Sequence, residues 1–179
     1  MAKKKEEDIM DFPPVNEGED EPLASDPEDA LAGLDFDVKD EYKPDPLLLN
    51  GSYRANVTKV VFDPKQSAIV WTGVIVDSDR LMSDGESSAD GVTIQWRNWL
   101  PKPGDELEPT KDGKKTKRQS KINMLEDYQR KLGIDMSTPQ IIAQSLLEQT
   151  WLGLQVIVDI VISEWEGRTR NEVKKITAG

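Results

Sequence analysis

The sequence contains no cysteine and no histidine among its 179 residues. Without cysteine the chain can form neither a disulfide framework nor a thiolate metal site, and it has no thiol nucleophile. Without histidine it lacks the most common general base, the most common zinc ligand and every Ser-His or Cys-His catalytic pair. Carboxylates, lysine, tyrosine and serine are the side chains left for chemistry. We therefore expect a protein that is not an enzyme and that uses no metal and no cofactor.

Long apolar runs are also missing, because polar residues interrupt each run within a few positions. This pattern predicts no membrane-spanning helix. The lysines at residues 3–5 lead into acidic residues rather than into the apolar core of a signal peptide. We expect a soluble, intracellular protein of the cytoplasm.

Negative charge is concentrated at one end of the chain. Residues 1–46 hold 16 acidic and 5 basic residues, which accounts for the whole formal net charge of −11, and they hold six of the 11 prolines. Such a segment buries too little apolar surface to offset the entropy cost of ordering it. We predict a disordered acidic arm over residues 1–46, followed by one domain over residues 47–179.

Three apolar residues, Leu34, Phe36 and Val38, lie among the carboxylates of this arm. Two interpretations remain open for them. The stretch around them is either a loosely structured linker or a short peptide that docks on a partner protein.

Five segments rich in β-branched and aromatic residues follow the arm. Their spacing and the turn residues between them predict two hairpins flanking a central strand. The five predicted strands cover residues 51–62, 66–76, 92–100, 152–165 and 168–177.

Two helices are predicted between the third and fourth strands. The first runs from near Ser120 to a cap at Gly133, and the second from Thr138-Pro139 to Gln149. Three strands, a helical segment and two strands are typical of the OB-fold, a five-stranded Greek-key barrel. The sequence thus predicts a mainly β OB-fold, although other small β-barrels with an inserted helix share this order.

The segments "NGSYRANVTKVVF", "IVWTGVIV", "LGIDM" and "LLEQTWLGLQVIVDIVISEWEGRTRNEVKKI" resemble phage-encoded OB-fold single-stranded-DNA-binding proteins. The similarity covers about residues 50–177. Its features are a Gly-x-Tyr opening strand, a Leu-Gly helix end, and a closing hairpin that ends in Asn171, Val173 and Ile176. In many proteins of this kind the acidic arm follows the domain, whereas here it precedes it.

This resemblance implies a non-catalytic, sequence-tolerant protein that binds single-stranded DNA in phage replication or recombination. It would work in the cytoplasm of the host cell, and its acidic arm would modulate binding or recruit replication or recombination proteins. The resemblance leaves self-association, site size and the choice between DNA and RNA open.

Binding a single strand requires cations that follow the phosphates and flat rings on which bases stack. Residues 111–121 form a basic segment, and a solvated loop is the alternative interpretation of such a charge run. We predict that it lies beside the outer face of the third strand, where Arg97 and Trp99 face outward and Trp96 inward. A slip of one residue would exchange these faces. The cations of the basic segment are Lys111, Lys114, Lys115, Lys117, Arg118 and Lys121.

Four more residues are candidates for the same surface. Tyr53 and Trp71 lie on apolar faces, for which a place in the core is the alternative. Arg168 and Arg170 alternate outward on the last strand and would extend the track of cations. The remaining tryptophans, at positions 151 and 165, flank the fourth strand and are interpreted as structural.

Two other functions remain open. The barrel could serve as a protein-interaction or virion module in which the acidic arm is the functional part. A carboxylate-metal nuclease would use Asp77, Asp79 and Asp84, which share one loop, and would cleave DNA only with magnesium.

Overall fold

The computed structural model describes residues 26, 28 and 31–179. The chain divides into two units after Pro44. In the first unit the described side chains are exposed. The helical turn α1 (Val38–Glu41) is capped by Asp37, whose carboxylate accepts a hydrogen bond from the backbone N–H of Lys39 at 2.8 Å. The predicted disordered arm falls largely on residues outside the described ones.

The second unit is built on one antiparallel sheet of five strands, so the prediction of a mainly β protein is confirmed. Its order is β3-β2-β1-β4-β5, which leaves β3 and β5 as the outer strands. The two predicted hairpins, β1–β2 and β4–β5, are present. The strands are β1 (Gly51–Asp63), β2 (Ala68–Ile75), β3 (Thr93–Trp99), β4 (Gln155–Trp165) and β5 (Arg168–Ala178).

Two helices lie between β3 and β4 as predicted, but the first begins earlier. It is α2 (Lys117–Leu132), because the hydroxyl of Thr116 accepts a hydrogen bond from the backbone N–H of Gln119 at 3.1 Å and so caps the helix before Ser120. The last three cations of the basic segment, at positions 117, 118 and 121, therefore belong to helix α2. The second helix, α3 (Pro139–Leu147), has the predicted Thr138 cap. In the part of the chain that the structure describes, no helix combines the length and apolar composition needed to cross a membrane.

The β1–β2 pairing is irregular at one point, close to Gly73 of β2. The register shifts on β1 between Val57 and Lys59, and Gly73 is the partner of Val57. Gly73 also packs closely against β3, since a Cβ atom there would lie 3.1 Å from a ring carbon of Trp96. The irregularity thus lies on the strand opposite the glycine.

The core contains a stack of aromatic rings. The ring of Trp71 lies 5.2 Å from that of Trp151 and 6.1 Å from that of Trp96, centroid to centroid, and its indole N–H donates a hydrogen bond to Asn98 at 2.7 Å. Trp71 is 0 % exposed and Tyr53 is 3 % exposed. Neither ring has a face that a base could reach, so the structure corrects their selection as candidates for the binding surface.

Candidate nucleic-acid interface

A groove of about 400 Å³ lies between the two outer strands of the sheet. Residues 95–99 of β3 form one wall and residues 170–176 of β5 form the other. Helix α2 supplies the remaining lining residues, which are Met124, Asp127, Tyr128 and Lys131. The groove therefore exists because β3 and β5 approach each other but are not joined by backbone hydrogen bonds.

The β3 wall presents an exposed indole. Side chains of β3 alternate strictly between buried and exposed, with Arg97 and Trp99 outside and Trp96 inside. Trp99 is 46 % exposed and Trp96 is 7 % exposed. The predicted faces of β3 are confirmed, and the one-residue slip is excluded.

Arg170, on the opposite wall, lines the same groove as Arg97 and Trp99. These three candidates come from strands that are far apart in the sequence. No ion pair joins Arg97, Arg170 or Lys175, a third lining cation, to a carboxylate within the described residues. The groove thus carries positive charge that its own acidic residues do not neutralise.

The other two lining lysines are held by carboxylates. Lys131 on α2 lies 2.5 Å from Asp127, and Lys174 on β5 lies 2.8 Å from Glu172. The hydrogen bond from Lys131 is the main cause that lowers the pKa of Asp127, and the hydrogen bond from Lys174 does the same for Glu172. Both carboxylates are therefore ionised at neutral pH and offset these two lysines.

A tyrosine hydroxyl lies within the groove. Tyr128 accepts a hydrogen bond from the indole N–H of Trp96 at 2.5 Å. Burial raises the pKa of Tyr128 above its ordinary value of 10.0, and the bond from Trp96 only partly opposes this effect. The phenol stays protonated at neutral pH, so it is a hydrogen-bonding group rather than a general base.

The sequence predicts that the basic segment lies beside the outer face of the third strand, but none of its residues lines the groove that contains Arg97 and Trp99. Lys111, Lys114 and Lys115 are exposed on a turn closed by a hydrogen bond of 2.8 Å from the N–H of Thr110 to the carbonyl of Lys115. Lys117 is paired with Glu108 at the start of α2. The three exposed lysines of this turn are therefore cations separate from the groove, and Glu108 offsets the charge of Lys117.

Two members of the basic segment lie next to the end of β3. Lys121 is mostly buried, and its ammonium lies 2.7 Å from Asp105 and 3.3 Å from the carbonyl oxygen of Leu100, the residue after Trp99. Arg118, one turn earlier on α2, is exposed and lines a shallow hollow with residues 101–103 and Glu106, to which no ion pair joins it. Lys121 therefore anchors the helix, while Arg118 remains available to a ligand.

Trp165, interpreted from the sequence as structural, is the last residue of β4 at the tip of the β4–β5 hairpin. Trp165 is 58 % exposed, whereas Trp151 is buried as expected. The guanidinium of Arg170 lies over the Trp165 ring, 5.3 Å from its centroid. Arg168 is exposed at the start of β5 and does not line the groove.

Sequence reasoning missed the groove lysines at positions 131, 174 and 175, as well as Tyr128. The sequence did contain a sign of two of these cations, because Lys174 and Lys175 are adjacent in a predicted strand that contains several cations. Nothing in the sequence shows that the last strand lies opposite the third. The helical Lys131 gave no comparable signal.

Asp84, one of the three carboxylates of the nuclease hypothesis, stabilises the turn in which it lies. Asp84 accepts hydrogen bonds from the backbone N–H groups of Ser87 and Glu86 at 2.9 and 3.1 Å. Within the described residues there is no group of three or more acidic side chains placed to hold a metal ion.

Comparison with known proteins adds no relative, since no protein-family model matches the sequence and no curated protein matches it significantly.

Proposed function

We propose that this protein binds single-stranded DNA, without sequence preference and without catalysis, in the groove between β3 and β5. One observation carries the proposal, namely that Trp99 is 46 % exposed in a groove that also holds Arg97 and Arg170. An exposed indole that shares a groove with two arginines offers both of the contacts that a single strand requires.

The energies of these contacts favour a single strand over a duplex. Stacking of one base on an aromatic ring contributes about 1–3 kcal/mol and is available only where the base is unstacked from its neighbours. Every base has an aromatic face, so this contact tolerates any sequence. Arg97, Arg170 and Lys175 would neutralise phosphates, which makes binding dependent on salt.

The strand order supports an OB-like barrel as the scaffold. In the sheet, β1 lies between β2 and β4, and the outer strands β3 and β5 form the two walls of the groove. A partly open, five-stranded Greek-key barrel binds oligonucleotides on the face that includes its third strand. The similarity of residues 50–177 to phage single-stranded-DNA-binding proteins points the same way, and it is the basis for proposing a role in phage DNA replication or recombination.

The basic segment is proposed as an extension of this site rather than its centre. Arg118 lies one helical turn from Lys121, which contacts the residue after Trp99. A strand that leaves the groove past Trp99 would meet Arg118 first and the exposed lysines of the turn next.

A second candidate function is a protein-interaction or virion module, for which the observation is the exposure of Leu34, Phe36 and Val38 at 58, 64 and 67 %. Exposed apolar side chains within an acidic segment are typical of peptides that dock on a partner. On this hypothesis the groove would not bind nucleic acid.

The test is a titration of fluorescently labelled oligo-dT with the full chain, followed by anisotropy at several salt concentrations. Replacing Trp99 by Ala should weaken binding roughly 5- to 150-fold, the equivalent of about 1–3 kcal/mol, and Trp99→Phe should recover part of the loss because a ring remains. The plot of log affinity against log salt should have a slope of about −0.7 per phosphate contacted, and Arg97→Gln should make it shallower by one contact.

Phe62→Leu is the matched control, because Phe62 is 46 % exposed but does not line the groove. A salt-independent affinity, or equal affinity of the wild-type and Trp99→Ala proteins, would reject the proposal. Absence of oligo-dT binding at every salt concentration would favour the interaction module. Cleavage of the oligonucleotide only in the presence of magnesium would favour the nuclease.

A further inference from the structure

The β4–β5 hairpin carries the most exposed tryptophan of the chain. Trp165 is the last residue of β4, and Glu166 and Gly167 form the turn with φ values of 51° and 75°. Positive φ at both central residues matches the two-residue turn that suits the twist of a hairpin. The turn places Trp165 at the tip, where 58 % of the residue is exposed.

Arg170 connects this indole to the groove. Its guanidinium lies 5.3 Å from the centroid of the Trp165 ring, and the same residue lines the groove that contains Trp99. Arg170 pairs with Ser163 in the β4–β5 ladder, while Trp165 pairs with Arg168. Trp165 and Arg170 are therefore diagonal neighbours on one face of the hairpin.

We infer that Trp165 and Arg170 form a second base-binding platform, so that the single strand runs from Trp99 through the groove to the hairpin tip. This inference rests on the proposed binding of single-stranded DNA. The partner it specifies is an unpaired nucleobase with the phosphate next to it.

The geometry suits this partner. A guanidinium covers one part of the ring by a cation–π contact, and the exposed remainder of the ring can stack on a base. Arg170 keeps its N–H donors, which can bind a phosphate oxygen while the guanidinium plane stays on the ring. A tryptophan that served only to stabilise the hairpin would gain most by being fully covered, whereas Trp165 keeps 58 % of its surface exposed.

The distribution of tryptophans provides a direct test. Trp71, Trp96 and Trp151 are buried, so only Trp99 and Trp165 can stack directly on a base of bound oligo-dT. In the Trp99→Phe protein, bound oligo-dT should still quench part of the emission, and this part should vanish in the Trp99→Phe/Trp165→Phe double variant. Labelled oligonucleotide anisotropy, measured on the same samples, reports binding independently of tryptophan.

Affinity gives a second readout. Trp165→Leu should weaken binding of long oligo-dT roughly 5- to 150-fold, the effect of losing one stacked base. In a series from about 4 to about 16 nucleotides, the range covered by one barrel, the variant should stop gaining affinity at a shorter length than wild type. Trp165→Phe should recover part of the loss, and Phe62→Leu should follow the wild-type curve.

The outcomes separate the inference from the function on which it rests. If the wild type binds no oligonucleotide, the proposed function fails. Two results together would refute the second platform but not single-strand binding. Anisotropy would show that the Trp99→Phe protein binds oligo-dT while its fluorescence is not quenched, and Trp165→Leu would bind every length with the affinity of wild type. A purely structural role for the ring would be excluded by two results: Trp165→Leu melts at the temperature of wild type, and its affinity is weaker only for long strands.

Discussion

The ammonium of Lys121 lies 2.7 Å from a carboxylate oxygen of Asp105, a residue that is 1 % exposed. Asp105 also accepts a hydrogen bond from the backbone N–H of Lys102 at 2.9 Å, and Lys121 donates another to the carbonyl of Leu100. The pair thus ties the segment after β3 to helix α2 and fixes the helix beside the Trp99 end of the groove.

Loss of this pair should change the dependence of stability on pH. The hydrogen bond from Lys121, followed by that from the N–H of Lys102, lowers the pKa of Asp105 below 3.8, and burial only partly opposes them. A carboxyl whose pKa is lower in the folded state adds stability above its unfolded pKa, and this contribution is lost as the pH falls through the folded value. Asp105→Asn should therefore have a lower melting temperature than wild type at pH 7, with the difference shrinking below about pH 4.

Thermal unfolding followed by circular dichroism from pH 7 to about pH 2 measures this difference. Glu108→Gln is the control, because Glu108 and Lys117 form a pair whose side chains are about half exposed and such pairs contribute little. A gap between wild type and Asp105→Asn that stays constant over the whole range would show that the charge of Asp105 is not the cause.

Packing around Gly73 leads to a second prediction. In Gly73→Ala the new Cβ would lie 3.1 Å from the Trp96 ring and 3.3 Å from the carbonyl oxygen of Asn56. Because the backbone atom cannot move alone, the variant should lose about 1–3 kcal/mol of unfolding free energy through overpacking. Urea unfolding measures the loss, and near-ultraviolet circular dichroism should report the displaced Trp96 ring.

Gly33→Ala provides the comparison, since a Cβ at Gly33 meets no heavy atom within 4 Å. Its unfolding free energy should equal that of wild type. If Gly73→Ala were as stable as Gly33→Ala, the close contact between Gly73 and Trp96 would be refuted.

Arg118 should affect binding and stability in opposite directions. The first turn of α2 contains Lys117 and Arg118 and no acidic residue, and cations near a helix N-terminus oppose the helix dipole. Arg118→Gln should therefore have a melting temperature equal to or higher than wild type. Its affinity for oligo-dT should fall, and its salt slope should become shallower by about 0.7, the effect of losing one phosphate contact.

Calorimetry and anisotropy titrations on the same preparation check both effects. Weaker binding together with a lower melting temperature would instead indicate damage to the fold. Unchanged binding would remove Arg118 from the proposed site.

Removal of residues 1–44 tests the proposal that the acidic arm modulates binding. A tethered polyanion competes with DNA at an effective concentration near the millimolar range, so it should suppress weak binding most. The shortened chain should bind short oligo-dT more tightly than the full chain at low salt, and the difference should disappear at high salt as charges are screened. Equal affinities at low salt, with circular dichroism showing that the shortened chain is folded, would rule out this inhibitory role.

Local patterns in the sequence determined the elements of this protein. The alternation of residues 93–99 predicted the faces of β3, and the Thr138-Pro139 pair predicted the start of α3, because strand faces and helix caps depend on residues a few positions apart. The exposure of Trp99 follows from the same alternation. Some bounds were misplaced by about three residues. The first helix starts earlier than predicted, since Thr116 caps it in preference to a residue near Ser120, and β4 starts at Gln155 rather than at residue 152.

Tertiary structure alone decided which residues share a site. Arg97, Lys131 and Arg170 meet in the groove because the strand order brings the outer strands β3 and β5 together, and strand order depends on contacts between distant segments. The neighbours of each cation also determine its availability, since Lys121 is paired with Asp105 whereas Arg118 stays exposed. The amino-acid composition does not distinguish these cations from one another. Their position relative to the two outer strands distinguishes a structural lysine from a candidate ligand contact.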